Sequence, residues 1–198
     1  SGNTLDLNFS CKKQALANII RHTPESIKSI YASFQANGEL SCNGNISGLI
    51  NKTSSPALNM NCRIENGTFT LNSRPFMLKN ISLDSEITNG ESRNFITTKI
   101  KVSKFDAETE SGFIKGGFTI KNLTKYHLTT NLSSSWDLAE INRYFEDSPF
   151  LNLAGRLDAK TEYSGHLSFD SKFKDYFITA RHSSNATFKN TTFKYKNS

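Results

Sequence analysis

The sequence predicts a mainly β fold with short helices, a twisted antiparallel meander forming a curved sheet or open groove (a partial barrel) around two strand-helix-strand units. Three observations carry this expectation. Apolar and polar residues alternate through most of the chain after residue 35, the period-2 pattern of strands with one wet face. Short loops separate the alternating runs, so neighbours in sequence are expected to be antiparallel neighbours in the sheet. Finally, one unit occurs twice. Residues 37–48 read NGELSCNGNISG and residues 154–165 read AGRLDAKTEYSG, so that Gly38 and Gly155, Leu40 and Leu157, Ser47 and Ser164, and Gly48 and Gly165 coincide without a gap. Each copy follows a helical stripe, LANIIRHTPESIKSIY in the first and LAEINRYF in the second. A repeated unit of this kind needs neighbours to bury its apolar face.

The elements follow in order. Ser10 is placed to cap a helix over residues 12–21 with Leu16, Ile19 and Ile20 on one face. Thr23-Pro24-Glu25 restarts a second turn or two carrying Ile27, Ile30 and Tyr31. Leu40, Cys42, Ile46 and Ile50 share one strand parity, and a hairpin between Asn51 and Pro56 leads to Leu58, Met60, Cys62 and Ile64. Asn66-Gly67, the strongest short hairpin signal, predicts a turn into Phe69 and Leu71. The alternation continues through Ile81, Leu83 and Ile87, then Ile96, Ile100 and Val102, then Ile114, Phe118 and Ile120, then Tyr126, Leu128 and Leu132, with loops over 88–93 and 106–112. Gly116-Gly117 inside a strand pattern implies a bulge or a close backbone approach. Asp137 caps a second helix whose apolar stripe is Leu138, Ile141, Tyr144 and Phe145, ended before Pro149. Beyond Gly165, Leu167, Phe169, Phe173, Phe177 and Ile178 remain strand-like, and residues 186–195 form one more strand with Phe188, Phe193 and Tyr195. No Pro/Gly linker divides the chain, so residues 1–198 read as a single continuous sheet without a domain boundary, with repeated units near 5–48 and 126–165.

Composition narrows the function. Fifteen Phe, evenly spread, argue against disorder. The net charge of +6 comes from cations scattered singly on polar strand positions, such as Lys99, Lys101, Lys104, Lys115 and Lys121. That is a solvated sheet face and not a phosphate-tracking patch, so no nucleic-acid partner is expected, and an anionic membrane surface is the minority reading. No transmembrane stretch or signal peptide is evident, and Ser1-Gly2 reads as a cloning remnant. If the protein is exported or anchored, the responsible segment is expected outside this chain. If the hairpin turns between Asn51 and Pro56, Cys42 faces a residue near Glu65 and Cys62 one near Asn45. Those two thiols would then lie about three residues out of register, too far for a disulfide. Together with Cys11 they are read as small hydrophobes.

Catalytic constellations are absent from the pattern. His22, His127, His166 and His182 match no metal-ligand spacing, no GxSxG elbow or phosphate loop occurs, and no metal or cofactor is expected. The carboxylates Asp106, Glu108 and Glu110, and Glu146-Asp147, are read as solvated turns, so a glycosidase on an all-β scaffold is the least favoured reading. What remains is the apolar face: Leu58, Met60, Ile64, Phe69, Ile81, Leu83, Ile100, Val102, Ile114, Phe118, Ile120, Leu128 and Leu132. Two small helices cannot cover the face of nine or so strands, which leaves either a groove able to hold acyl chains or a surface that a partner domain covers.

The phrases GELSCNGNISG, ALNMNCRIENGTFTL, FMLKNISLDSEIT, FDAETESGFIKGGFTI and DLAEINRYFEDSPFLNLAGRLDAKTEYSG together resemble the AsmA-like C-terminal region of Gram-negative envelope proteins. The turn at Asn66 to Phe69, the NISLD strand beginning at Asn80 and the helix-to-strand junction at Gly155 are the most similar parts, and the resemblance covers roughly two thirds of the chain. It implies a periplasmic β-groove anchored to the inner membrane, associated with outer-membrane assembly and membrane biogenesis and with phospholipid transport. It carries over no catalytic residues. A structural or protein-interaction β module without a lipid ligand is the alternative.

Overall fold

The computed structural model describes residues 3–21, 34–51, 53–72, 76–144, 148–166 and 180–196. The elements run β1 (Asn3–Ala15), α1 (Leu16–Arg21), β2 (Phe34–Ile50), β3 (Ala57–Leu71), β4 (Met77–Thr88), β5 (Lys99–Glu108), β6 (Phe113–Lys121), β7 (His127–Asp137), α2 (Leu138–Tyr144), β8 (Phe150–His166) and β9 (Arg181–Tyr195). All nine strands form one antiparallel sheet in strict sequence order, open at the edges β1 and β9. The expected meander of curved-sheet type, with few short helices, is thus the fold. The expected second turn carrying Ile27, Ile30 and Tyr31, the residues His22, Phe145 and Glu146-Asp147, and the strand-like Leu167, Phe169, Phe173, Phe177 and Ile178 lie outside the described residues.

Cross-strand register gathers the apolar residues on one face. One rung runs through Cys11, Cys42, Cys62 and Ser85 and continues through Val102, Phe118, Thr130, Tyr163 and His182. The next rung toward one end holds Met60, Ile87, Ile100, Ile120 and Leu128. The rung on the other side holds Leu40, Ile64, Leu83 and Phe105. Directly opposed side chains share a face, because successive residues of a strand alternate.

Several sequence expectations are corrected. The helix expected over 12–21 is confined to α1, because residues 12–15 belong to β1 and Ser10 pairs with Asn43 instead of capping. Backbone pairing along β2 outweighs a helix of two turns, which is marginal alone. Asn66-Gly67 does not turn the chain: β3 runs straight through it, with Asn66 at φ 52° as the extra residue of a bulge. The Cys42–Cys62 register is also different, since the two residues are directly opposed. The reason is that the β2–β3 pairing closes at Ser47↔Ala57, while Gly48, Leu49 and Ile50 pair only with β1, which moves the turn centre from its expected place. Asp106 and Glu108 lie in β5 and not in a loop, and Ile96 lies in the loop before β5.

Bulges recur across the sheet, with extra residues at Lys13 in β1, Asn66 in β3, Asn80 in β4 and Asn190 in β9, each at φ between 48° and 52°. Such inserts increase twist and bend the strands. Gly38 and Gly155, the paired glycines of the duplicated unit, have φ of 139° and 115° and sit opposite the Asn66 and Asn190 bulges. A Cβ on Gly155 would lie 2.7 Å from the Asn190 carbonyl oxygen, and one on Gly38 2.9 Å from Gly67 Cα. The repeat is therefore longer than its sequence motif. In both copies a strand ends beside the residue after the glycine (Ala15↔Glu39, Asp137↔Arg156), a helix follows, and a bulged third strand reads Asn-x-Thr-Phe, at Asn66 and at Asn190.

Candidate functional site

All thirteen residues expected to contact lipid lie on the apolar face. Leu58, Met60, Ile64 and Phe69 come from β3, Ile81 and Leu83 from β4, Ile100 and Val102 from β5, Ile114, Phe118 and Ile120 from β6, and Leu128 and Leu132 from β7. Twelve of them are half-buried; Val102 is buried at 4% exposure. A single flat layer leaves such side chains open to water, so their mutual cover reflects a curved sheet whose apolar side chains shield one another. The same rungs add Leu40, Ile87 and Phe105, with the Phe105 and Phe118 rings 6.1 Å apart. Leu40 and Ile87 were visible in the sequence as alternation positions, whereas Phe105 was hidden by the change of parity after Val102, where β5 carries its own bulge.

The two ends of this face differ. Both helices sit at the same end, following β1 and β7, so the two copies do not cap opposite ends. Asp137 Oδ1 accepts the Ala139 N–H at 2.7 Å, the expected N-cap. Helix α2 then reaches over the β5–β6 turn, and an aromatic chain closes this end. Tyr144 meets Phe76 at 5.2 Å and Trp136 at 6.3 Å, Phe76 meets Phe69 at 6.4 Å, and Phe69 meets Phe34 at 5.1 Å. A residue that the sequence reading missed holds the lid down. Glu140 is 1% exposed, and its carboxylate accepts from Glu110 N–H at 3.1 Å, Ser111 N–H at 3.0 Å, Thr109 Oγ1 at 3.2 Å, Ser111 Oγ and Tyr144 OH. Burial pushes the Glu140 carboxyl up, but the bonds from Ser111, Tyr144, Glu110 and Thr109 together hold it below its ordinary value. Burial and the Glu140 carboxylate push the Tyr144 phenol up. Arg143 adds an exposed bond to Glu110 at 2.7 Å. Helix α1 has Asn18 at the matching place and buries no residue.

The opposite end is framed by loops. Residues 89–98 are tied down by Asn89, which accepts the Leu58 N–H at 2.9 Å and donates to the Pro56 carbonyl at 2.8 Å. Thr97 and Thr98 hydroxyls donate to the Asn89 and Asn94 carbonyls, each at 2.7 Å, and Leu123 N–H donates to the Phe95 carbonyl at 2.8 Å. This rigid frame nevertheless presents Phe95 and Ile96 to solvent at 70% and 60% exposure. Around them Lys99 faces Lys121 and His127 faces His166. Like charges directly opposed are unfavourable in a sheet.

The reverse face is polar. Clefts of about 740 and 700 Å³ run between its rows of polar side chains, the larger between rows that include Thr119, Thr129, Glu162 and Arg181, the smaller between rows that include Asn43, Asn61, Arg63 and Asp84. Arg63 Nε meets Asp84 at 2.6 Å, and Lys189 meets Asp158 at 2.7 Å. The Lys189 bond, with that from Ser135, holds the Asp158 carboxyl below its usual range, and Asp84 raises Arg63. Asp106 meets Lys115 at 3.3 Å, and Glu108 accepts from Asn80 at 2.7 Å, so these two carboxylates are each engaged with a partner. No helix among the described residues is long and apolar enough to cross a membrane. No family model, curated protein or solved structure matches the chain.

Proposed function

We propose that this chain is a non-enzymatic β-groove segment that binds or conducts phospholipid acyl chains, as part of an envelope protein serving outer-membrane assembly. One observation carries the reading: a continuous apolar face across the sheet, half-covered by its own side chains and lidded at one end by α2. Burying acyl methylenes against such a face contributes about 25 cal/mol per Å² with little need for polar contacts. The open end supports the same reading. Exposed Phe95 and Ile96 beside Lys99, Lys121 and Lys125 match the boundary of an anionic bilayer, where apolar tips insert and cations meet headgroups. By the family resemblance, the protein is periplasmic and held at the inner membrane by a segment outside this chain, with other envelope proteins as partners.

The test is direct. Lipid extracted from the purified protein is identified by mass spectrometry, and the delipidated protein is titrated with a fluorescent fatty acid. Co-purified phospholipid, and uptake lowered by Ile100→Asn or Phe118→Asn in folded variants, support the reading. A delipidated protein that takes up no acyl probe refutes it. A protein-interaction module is the second reading, favoured by the edge strand β9, which is exposed along its whole length with Phe188 at 59% and Phe193 at 66%. Such an edge can accept another strand. That reading predicts no acyl uptake, and slowed amide exchange in β9 once a partner strand is bound.

A further inference from the structure

We propose that Cys42 is the hub of a three-thiol site that forms either of two mutually exclusive cross-strand disulfides, Cys11–Cys42 or Cys42–Cys62. The co-reactant is a low-molecular-weight disulfide such as oxidised glutathione. The site stands on register. Cys11 is directly opposite Cys42, and Cys42 is directly opposite Cys62, so the three side chains share one rung and one face at the β1 edge. The Cys11 and Cys42 sulfurs are 3.0 Å apart, and all three residues are half-buried.

Antiparallel geometry makes both bonds feasible. Opposed Cα atoms alternate between about 4.5 Å and about 5.5 Å, according to whether the pair is hydrogen-bonded. Cys42 directs its N–H and C=O to one neighbour only, so one of its two pairings is of each kind. Both spacings fall inside the range of about 4.4 to 6.8 Å that a disulfide spans without moving the backbone. Cys11 and Cys62 are two strand spacings apart, about 10 Å, and cannot bond to each other. The three residues follow one another along a rung, an arrangement suited to pairwise exchange, and among the described residues no group of His, Cys, Asp or Glu could hold a metal ion.

The chemistry balances. The Cys42 thiolate attacks one sulfur of the small disulfide and releases one thiolate as leaving group. The Cys11 thiolate then attacks Cys42 Sγ and releases the second thiolate. Two protons leave the protein thiols, and two electrons reduce the small disulfide to two thiols. A later attack by the Cys62 thiolate on Cys42 Sγ moves the bond to Cys42–Cys62 and frees Cys11, with no net redox change. Displacement at sulfur needs nucleophile, central sulfur and leaving sulfur nearly in line, which is what three thiols on one rung offer with Cys42 in the middle. The two states differ in consequence. Cys11–Cys42 staples the edge strand β1 to the sheet across 31 residues, whereas Cys42–Cys62 leaves that edge unstapled. Burial raises Cys42 to about 11 and also raises Cys62, which makes the exchange slow and calls for long incubation.

The experiment uses the 198-residue chain. It is incubated with oxidised and reduced glutathione, quenched in acid and alkylated, and its linked peptides are identified by mass spectrometry. Wild type should gain one intrachain disulfide per molecule and keep one thiol. C62S should yield only Cys11–Cys42, C11S only Cys42–Cys62, and C42S no intrachain link, with circular dichroism confirming β structure in each reduced variant. Three alkylated thiols in oxidised wild type, a Cys11–Cys62 peptide in any sample, or an unlinked C11S would each overturn the proposal. The wild-type map decides the matter even if a variant fails to fold.

Discussion

Removing the Glu140 carboxylate should unfasten the lid. In Glu140→Ala the N–H groups of Glu110 and Ser111 lose an anionic acceptor, while the hydroxyls of Thr109, Ser111 and Tyr144 can rotate toward water. Losing a charged acceptor costs about 1–2 kcal/mol for each partly buried N–H, so the total is about 2–4 kcal/mol. Glu140→Gln keeps one carbonyl acceptor but points an amide donor at other donors, and should lose about 1–2 kcal/mol. The pH dependence has a definite sign. Because the folded carboxyl is held below its ordinary value of 4.5, its contribution is fully present above about pH 4.5 and disappears as pH falls through the depressed folded value. Urea denaturation of wild type and Glu140→Gln should therefore show a gap at pH 7 that closes in acid. Hydrogen exchange at residues 109–112 and in α2 should rise in the variant at neutral pH. A gap of constant size from pH 7 down to pH 3, or unchanged exchange in the turn, would refute the reasoning.

Other perturbations address the repeat, the edge and the open end. Gly155→Ala forces a positive φ on a β-carbon that meets the Asn190 carbonyl, and should lower stability by about 2–3 kcal/mol in urea melts; an unchanged midpoint would show that β8 and β9 relax freely there. In oxidised C62S the 31-residue loop closed by Cys11–Cys42 should add about 3–4 kcal/mol over the reduced protein, read from paired melts with and without reductant. Phe95→Ala with Ile96→Ala should leave the melt unchanged, since both side chains are exposed, yet reduce co-sedimentation with vesicles containing phosphatidylglycerol about tenfold or more. Equal sedimentation would remove the open end from the lipid argument. Arg63→Ala should leave the urea midpoint close to that of wild type, because its bond to Asp84 is exposed to solvent.

Much of the fold was legible because the alternation is long and its parity is clean. Leu58, Met60 and Ile64 could face only one side of a half-wet sheet, and the structure keeps them there. The Asp137 cap was equally local and equally readable. The misreadings came where two local meanings compete and distant pairing decides. Asn66-Gly67 serves a hairpin and a bulge equally well, but the apolar parity changes from Leu58, Met60, Cys62 and Ile64 to Phe69 and Leu71. A one-residue insert within a continuing strand keeps both runs on the same face, so the parity change was the available signal. Lys12, Lys13 and Gln14 suit a helix in isolation, and only the pairing of β1 with β2 on either side of the Lys13 bulge makes them strand. Glu140 was not readable at all. A carboxylate in a short amphipathic helix looks solvated until the turn at 109–112 is brought beneath it.

The duplicated unit sets a length scale. The first copy begins at β1 and the second at β7, so the pattern advances by six strands. At a strand spacing of about 4.8 Å, each period lengthens the apolar face by about 29 Å, and the nine strands present span about 38 Å. A face assembled this way grows in fixed steps of rather less than a bilayer's thickness, with a helix on the same rim at every step. Distance is thus set by counting units, and reach can change without any new fold, because the unbroken β6–β7 pairing already shows how one period is laid beside the next.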